Sequence, residues 1–95
     1  VTAIRYSQSA VRDLQRLAEF LRQHDGEGAA RTATLIARAI RILAEHPLIG
    51  RPVAVNRREL FIFRGRTGYL VQYAYSLTRD EVIILAVRHQ REVEP

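Results

Sequence analysis

Seven arginines are the side chains whose type and spacing best suit them to chemistry: Arg51, Arg57, Arg58, Arg64 and Arg66, opposed within that stretch only by Glu59, and Arg88 and Arg91 beyond them. A guanidinium is a permanently charged planar fork that pairs bidentately with a carboxylate or a phosphate. Gathered into one basic surface around an exposed strand end, such a set can bind a phosphodiester, stabilise the transition state of its cleavage, or grip an acidic protein. The same charges can also do no more than solvate the ends of strands. Cleavage further requires an acid or base of suitable pKa. The three histidines, His24, His46 and His89, lie far apart without metal-ligand spacing. Two of them fall at expected helix ends, where the dipole favours a cation in any case. Binding is therefore the role the residues themselves support.

Other signatures narrow the chemistry further. Asp25-Gly26-Glu27-Gly28 lacks the additional oxygen ligands and the spacing of a calcium loop. There is no phosphate-cradling glycine motif and no activated serine. With no cysteine there is neither a disulfide nor a thiolate to serve as nucleophile or zinc ligand. No metal or cofactor is expected. All fifteen basic residues are arginine and the net charge is +5, a balance that suits an acidic protein or a nucleic acid without choosing between them. The 95 residues, 47% of them apolar, fit one domain spanning 1–95 around a single core. No apolar run approaches the roughly 20 residues of a membrane helix, and the first residues lack the regions of a signal peptide. The expected location is the cytoplasm, with no membrane partner.

The elements that must position the arginines follow from hydrophobic patterning. Residues Glu81 to His89 (EVIILAVRH) carry an apolar run from Val82 to Val87 that does not alternate, so a strand here buries both faces inside a sheet. Its end flips to Arg88-His89-Gln90-Arg91. At the other terminus, Thr2 to Tyr6 forms a short strand with Ile4 and Tyr6 on one face. Ser7 stands at the N-cap of a helix whose apolar stripe is Ala10, Val11, Leu14, Leu17, Ala18 and Leu21. Arg12, Asp13, Arg16, Glu19 and Gln23 take the opposite face, and the helix ends near His24. Glycines 26 and 28 serve a tight turn with positive φ. A second helix then runs from Glu27 or Gly28 to Glu45, stopped by Pro47. Its main stripe is Ala29, Ala33, Ile36, Ile40, Leu43 and Ala44. A weaker stripe of Leu35, Ala39 and Ile42 needs its own cover, either the neighbouring helix or another protein.

Pro47 to Asn56 forms a connector broken by Pro47, Gly50 and Pro52. A meander follows: Leu60 to Arg64, a turn through Gly65 to Gly68, Tyr69 to Tyr75 with Tyr69, Val71, Tyr73 and Tyr75 on one face, and a turn near Thr78-Arg79-Asp80 into the last strand. The first strand is expected beside the last, since that strand is the most buried. The result is an α+β fold, a helical hairpin packed on one face of a four-stranded, mainly antiparallel sheet in the order β-α-α-β-β-β. The second sheet face is left apolar without a cover, which signals a partner.

Particular residues stand at the joints of this order: Tyr6-Ser7, Ala10 and Asp13-Leu14 at the first helix; Leu43 and His46-Pro47-Leu48-Ile49-Gly50-Arg51 after the second; Arg58-Glu59-Leu60, Gly68-Tyr69 and Tyr73 in the sheet; and Val87-Arg88-His89 at its end. In this order and spacing they resemble the ParE/RelE superfamily of type II toxin–antitoxin toxins, over almost the whole chain. That superfamily divides into ribosome-dependent messenger RNA endonucleases, the RelE-like branch, and ParE-like toxins that inhibit DNA gyrase; both are held inactive by an antitoxin that wraps them. The RelE-like pattern has an arginine directly after the Gly-Tyr of the third strand and commonly a tyrosine near the C-terminus. Here Leu70 follows Gly68-Tyr69, and no tyrosine follows Tyr75. The Gly50-Arg51 connector and the Val87-Arg88-His89 ending are similar to the ParE side. The resemblance thus implies growth arrest through DNA gyrase and blocked replication, by an inhibitor rather than a catalyst, under control of a cognate ParD-like antitoxin. Arg58, Arg64, Arg88 and Arg91 are then the expected contacts to target or antitoxin. The alternative it implies is a RelE-like endonuclease drawing on Arg64, Arg88 and His89, and direct nucleic-acid binding stays open. An amphipathic helix of the antitoxin, followed by an extended stretch, is expected to cover the apolar sheet face and to neutralise the arginines.

Overall fold

The unbroken apolar run near the end of the chain does lie inside a sheet. The computed structural model describes residues 2–24 and 26–90, running β1 (Ala3–Tyr6), α1 (Gln8–His24), α2 (Gly26–Glu45), β2 (Arg51–Ala54), β3 (Arg57–Arg64), β4 (Thr67–Ser76) and β5 (Glu81–His89). The strand order is β1-β5-β4-β3-β2. β1 runs parallel to β5, with Ile4 beside Val82 and Tyr6 beside Ile84, while the other neighbours are antiparallel. The described sheet therefore has five strands, one more than the pattern of apolar residues announces. The added strand is part of the Pro47–Asn56 connector. Pro52 has no N–H to donate, which an edge strand tolerates because that side meets solvent. Its register pairs Pro52 with Arg58 and Ala54 with Arg57, leaving Val53 as an extra residue that kinks the edge.

Pairing also decides the faces. Tyr69, Val71, Tyr73 and Tyr75 of β4 oppose His89, Val87, Ile84 and Val82 of β5. The skip between Gln72–Ala86 and Tyr73–Ile84 makes Leu85 a bulge, so the core face passes from Ile84 to Val87 without breaking. Across β3 the same face continues through Leu60 and Ile62. These side chains meet Leu17 and Leu21 of α1 and Ile36, Ile40 and Leu43 of α2 in one core. Tyr73, Val71, Val82, Ile84 and Val87 have no exposed surface at all.

Ser7 caps α1 as expected: its Oγ accepts from Ala10 N–H at 3.0 Å. The helical hairpin is tighter than the two glycines suggest, because α2 already begins at Gly26 and Gly28 lies buried within it instead of in a turn. The weaker stripe of α2 turns toward β3: Leu35 and Ala39 pack against the core, and Leu35 shares a cleft with Arg64. Neighbouring sheet, not α1, is its cover, although Ile42 remains 45% exposed.

Candidate functional site

Among the described residues, Arg58 and Arg64 stand at opposite ends of β3 and Arg88 lies two strands away on β5. Arg58 is half-buried and points along the helix side of β3 toward the connector. Its Nη1 donates to the carbonyls of Leu48 (3.0 Å) and Gly50 (2.8 Å). Gly50 N–H in turn donates to the phenol oxygen of Tyr73 at 2.8 Å. Arg58 thus shapes the loop that presents Leu48 and Ile49 to solvent, 58% and 55% exposed. Arg51 pairs with Glu59 at 3.1 Å. Arg64 sits at the opposite end of β3 in a cleft against α2, with Arg31, Leu35 and Arg38. Arg91 lies outside the described residues.

Arg88 and His89, neighbours in sequence, go separate ways. Arg88 is exposed and stands opposite Leu70, with its Nε 3.7 Å from the carboxylate of Asp13. His89 faces the helices, its ring tilted 5.8 Å from Phe20 and edge-on to Tyr69 at 5.4 Å. Asp13 is the residue that periodicity misplaced. Assigned to the solvent face of α1, it is 4% exposed. β1 is too short to pair with the last residues of β5, so α1 supplies the partners instead. Ser7 N–H donates to the Ile84 carbonyl at 3.0 Å, and Val87 N–H donates to Asp13 Oδ2 at 2.9 Å. Arg16 completes the shell at 3.0 Å from Asp13 Oδ1. The helical period gave no sign of this burial, although Asp13-Leu14 stands among the residues that carry the superfamily resemblance.

The second sheet face is only partly open. At its centre Leu70 and Ala86 are buried, at 3% and 7% exposure. What remains open there is Phe61 and Phe63, 48% and 61% exposed and stacked at 6.3 Å. A further apolar concavity lies elsewhere, between the two helices: a groove of about 400 Å³ lined by residues that include Tyr6, Leu14, Ala18, Leu21, Ala29, Ala33 and Ile36. The alanines of α2 are too small to fill the space beside α1, and Ala18, Ala33 and Ala37 stay exposed in consequence. Desolvation in this apolar setting pushes the Tyr6 phenol above its ordinary pKa. No group of three metal-ligating side chains occurs among the described residues, and none of their helices is long and apolar enough to cross a membrane.

A helical hairpin packed on one face of a five-stranded mixed sheet defines an α+β protein with an open apolar groove between its helices. Its likeness to solved structures agrees: the ParDE toxin–antitoxin system of P. aeruginosa superposes with a TM-score of 0.76 over 93% of this chain and 95% of that one, at 18% identity. The E. coli RelBE complex gives 0.62 over 92% and 94%, at 14% identity. The family model for the ParE toxin of the type II toxin–antitoxin system parDE matches residues 4–94. Toxin RelE3 of Caulobacter vibrioides is 36% identical over 83 residues, covering 87% of this chain and 88% of that one. The putative toxin Y4kP of Sinorhizobium fredii is 34% identical over 93 residues, covering 97% and 92%. The chain belongs to the ParE toxin family, within the ParE/RelE superfamily of type II toxin–antitoxin toxins.

Proposed function

We propose that this toxin arrests growth by inhibiting DNA gyrase, and that a cognate ParD-like antitoxin neutralises it by laying an apolar segment into the groove between α1 and α2. The observation that carries the first half is the match to the ParE family model over residues 4–94, and the placing of Arg64, Arg88 and His89 on different strands or faces is in keeping with it. Arg64 is two strands away from β5, in the α2 cleft; Arg88 stands by Asp13; His89 is packed between Phe20 and Tyr69. General acid–base chemistry requires its groups within hydrogen-bond reach of one reacting centre, whereas β4 lies between the strands of Arg64 and His89, and Arg88 turns to the sheet face opposite His89. Leu70, where the RelE-like branch has an arginine, is buried. The protein then acts as an inhibitor rather than a catalyst, in the cytoplasm, without metal or cofactor. Leu48 and Ile49, held outward by Arg58, and the cations Arg64 and Arg88 are its contacts to target or antitoxin.

Purified toxin added to a DNA supercoiling reaction should inhibit gyrase in proportion to its concentration, while ribosomes programmed with messenger RNA should leave the message intact. Message cleavage with untouched supercoiling would sink the reading. It would establish the second one, a ribosome-dependent endonuclease of the RelE type, which is favoured by the name of the Caulobacter relative and by the fold likeness to RelBE. The antitoxin half is supported by the apolar lining of the groove and by the toxin–antitoxin complexes among the structural neighbours.

A further inference from the structure

Asp13 carries more charge than its place in the fold calls for. β1 leaves β5 after Tyr6 pairs with Ile84, and the start of α1 takes over the open edge. Ser7 donates its N–H to the Ile84 carbonyl and its Oγ–H to the Leu85 carbonyl at 3.3 Å, and Asp13 Oδ2 accepts the Val87 N–H at 2.9 Å. A neutral amide oxygen would serve Val87 equally well. A carboxylate is the costlier choice at a site 4% exposed, because burial penalises its charge. Two guanidiniums compensate it: Arg16, one turn further along α1, with Nη1 3.0 Å from Oδ1, and Arg88, from the sheet, with Nε 3.7 Å from Oδ2. Other arginines are engaged differently, Arg58 with the Leu48 and Gly50 carbonyls and Arg51 with Glu59. Arg88 is exposed, and Asp13 is its one ionic or hydrogen-bonding partner among the described residues. The contact is made at Nε, so Nη1 and Nη2 keep their N–H groups for an incoming oxyanion.

We propose that Asp13 is a positioning residue for Arg88: its carboxylate holds Nε, so that Nη1 and Nη2 stand ready for a carboxylate on gyrase. The anchor is itself fixed, by its burial and by the Val87 N–H. An exposed arginine otherwise samples many rotamers, and ordering it on binding lowers affinity. A partner already in place removes part of that loss. The planar fork permits this division of labour, since a guanidinium bound at Nε can still pair bidentately through its two terminal nitrogens. A lysine at 88 would have one ammonium for both tasks. The target's identity rests on the gyrase reading; the hold of Asp13 on Arg88 does not.

The test is Asp13→Asn, which keeps an oxygen for the Val87 N–H and removes the charge that holds Nε. In isotope-labelled toxin, nitrogen relaxation at the Arg88 Nε–H should report a restrained group in the wild type and a mobile one in the variant, with the amide spectrum of the core unchanged. In the supercoiling reaction the inhibitory concentration should rise about fivefold for Asp13→Asn and about tenfold or more for Arg88→Ala, and the double variant should match Arg88→Ala alone, because Asp13 acts through Arg88. Inhibition by Asp13→Asn as strong as the wild type or stronger would overturn the proposal, since the carboxylate would then only neutralise the arginine. So would an equal further loss in the Arg88→Ala background, or an Nε–H as mobile in the wild type as in the variant. Should Asp13→Asn fail to fold, Arg88→Lys decides: weakened inhibition despite the retained charge supports the proposal, and wild-type inhibition overturns it. A wild-type toxin that leaves supercoiling untouched would instead sink the gyrase reading. The relaxation measurement and growth arrest on expression of the same variants then uphold the positioning role if the non-additive pattern appears, and overturn it if it does not.

Discussion

Asp13 accepts the Val87 N–H while almost fully buried, and a buried donor left without a partner costs about 1–3 kcal/mol. Asp13→Ala should lower unfolding free energy by that amount in urea denaturation; a loss within about 0.5 kcal/mol would mean water replaces the carboxylate. The opposite sign is expected at Thr32. Its hydroxyl is fully buried and has no hydrogen-bond partner among the described residues, so Thr32→Val, of nearly the same shape, should stabilise by about 1 kcal/mol. A destabilised variant would show that the hydroxyl is satisfied in solution. Tyr73 adds a pH dependence. Desolvation raises its phenol above the ordinary value of 10.0, against the lowering effects of Gly50 N–H and Arg58. A folded pKa above the unfolded one means that this contribution is intact below about pH 10 and is lost as pH rises through the folded value. Tyr73→Phe should be less stable at neutral pH, by about 1–3 kcal/mol for the unpaired Gly50 N–H, and should lose less stability than the wild type as pH is raised above 10. Parallel alkaline profiles would show that Tyr73 is not the source. None of these three roles was legible from residue type: the helical period put Asp13 outside, and nothing local distinguishes an orphaned hydroxyl from a bonded one.

The elements turn on one connector. A Cβ at Gly50 would lie 2.6 Å from the Tyr73 oxygen and 2.9 Å from the Glu59 carbonyl, and the latter, being backbone in a sheet, cannot swing aside. Gly50→Ala should therefore cost about 1–3 kcal/mol through overpacking and disturb the loop carrying Leu48 and Ile49. A variant as stable as the wild type would show that the loop shifts without penalty. The glycine and the two prolines around it made this stretch look irregular, and β2 escaped notice for that reason. The β4 and β5 strands were legible because β5 carries an unbroken apolar run and β4 is rich in aromatic and β-branched residues between two turn signals. The bulge at Leu85 was not, since it depends on which residue of β4 each partner meets.

For the whole molecule, the consequential surface is the groove. Ala33 is exposed within it, so Ala33→Glu should leave the fold intact yet weaken binding of the cognate antitoxin at least about tenfold, because burying an unpaired carboxylate against apolar lining is unfavourable. Unchanged affinity in a calorimetric titration would place the antitoxin elsewhere, with the exposed Phe61 and Phe63 of the second sheet face as the next surface to test. Arg58→Ala should instead act on stability, because that side chain is engaged with the Leu48 and Gly50 carbonyls.

By itself, the sequence determined the α+β order, the capped first helix, the place of the first strand beside the last, and the superfamily, since each rests on hydrophobic patterning, capping chemistry or motifs at fixed spacing. Tertiary structure decided the rest. Whether Arg58, Arg64 and Arg88 converge depends on strand register, which turns neighbouring side chains to opposite faces. Whether an apolar face is open depends on the side chains brought together from distant elements: Leu70 and Ala86 are buried at the centre of the second sheet face, while alanines leave the space between α1 and α2 unfilled. Pairing and packing of that kind are properties of contacts between residues far apart in the chain, and no window along the sequence contains them.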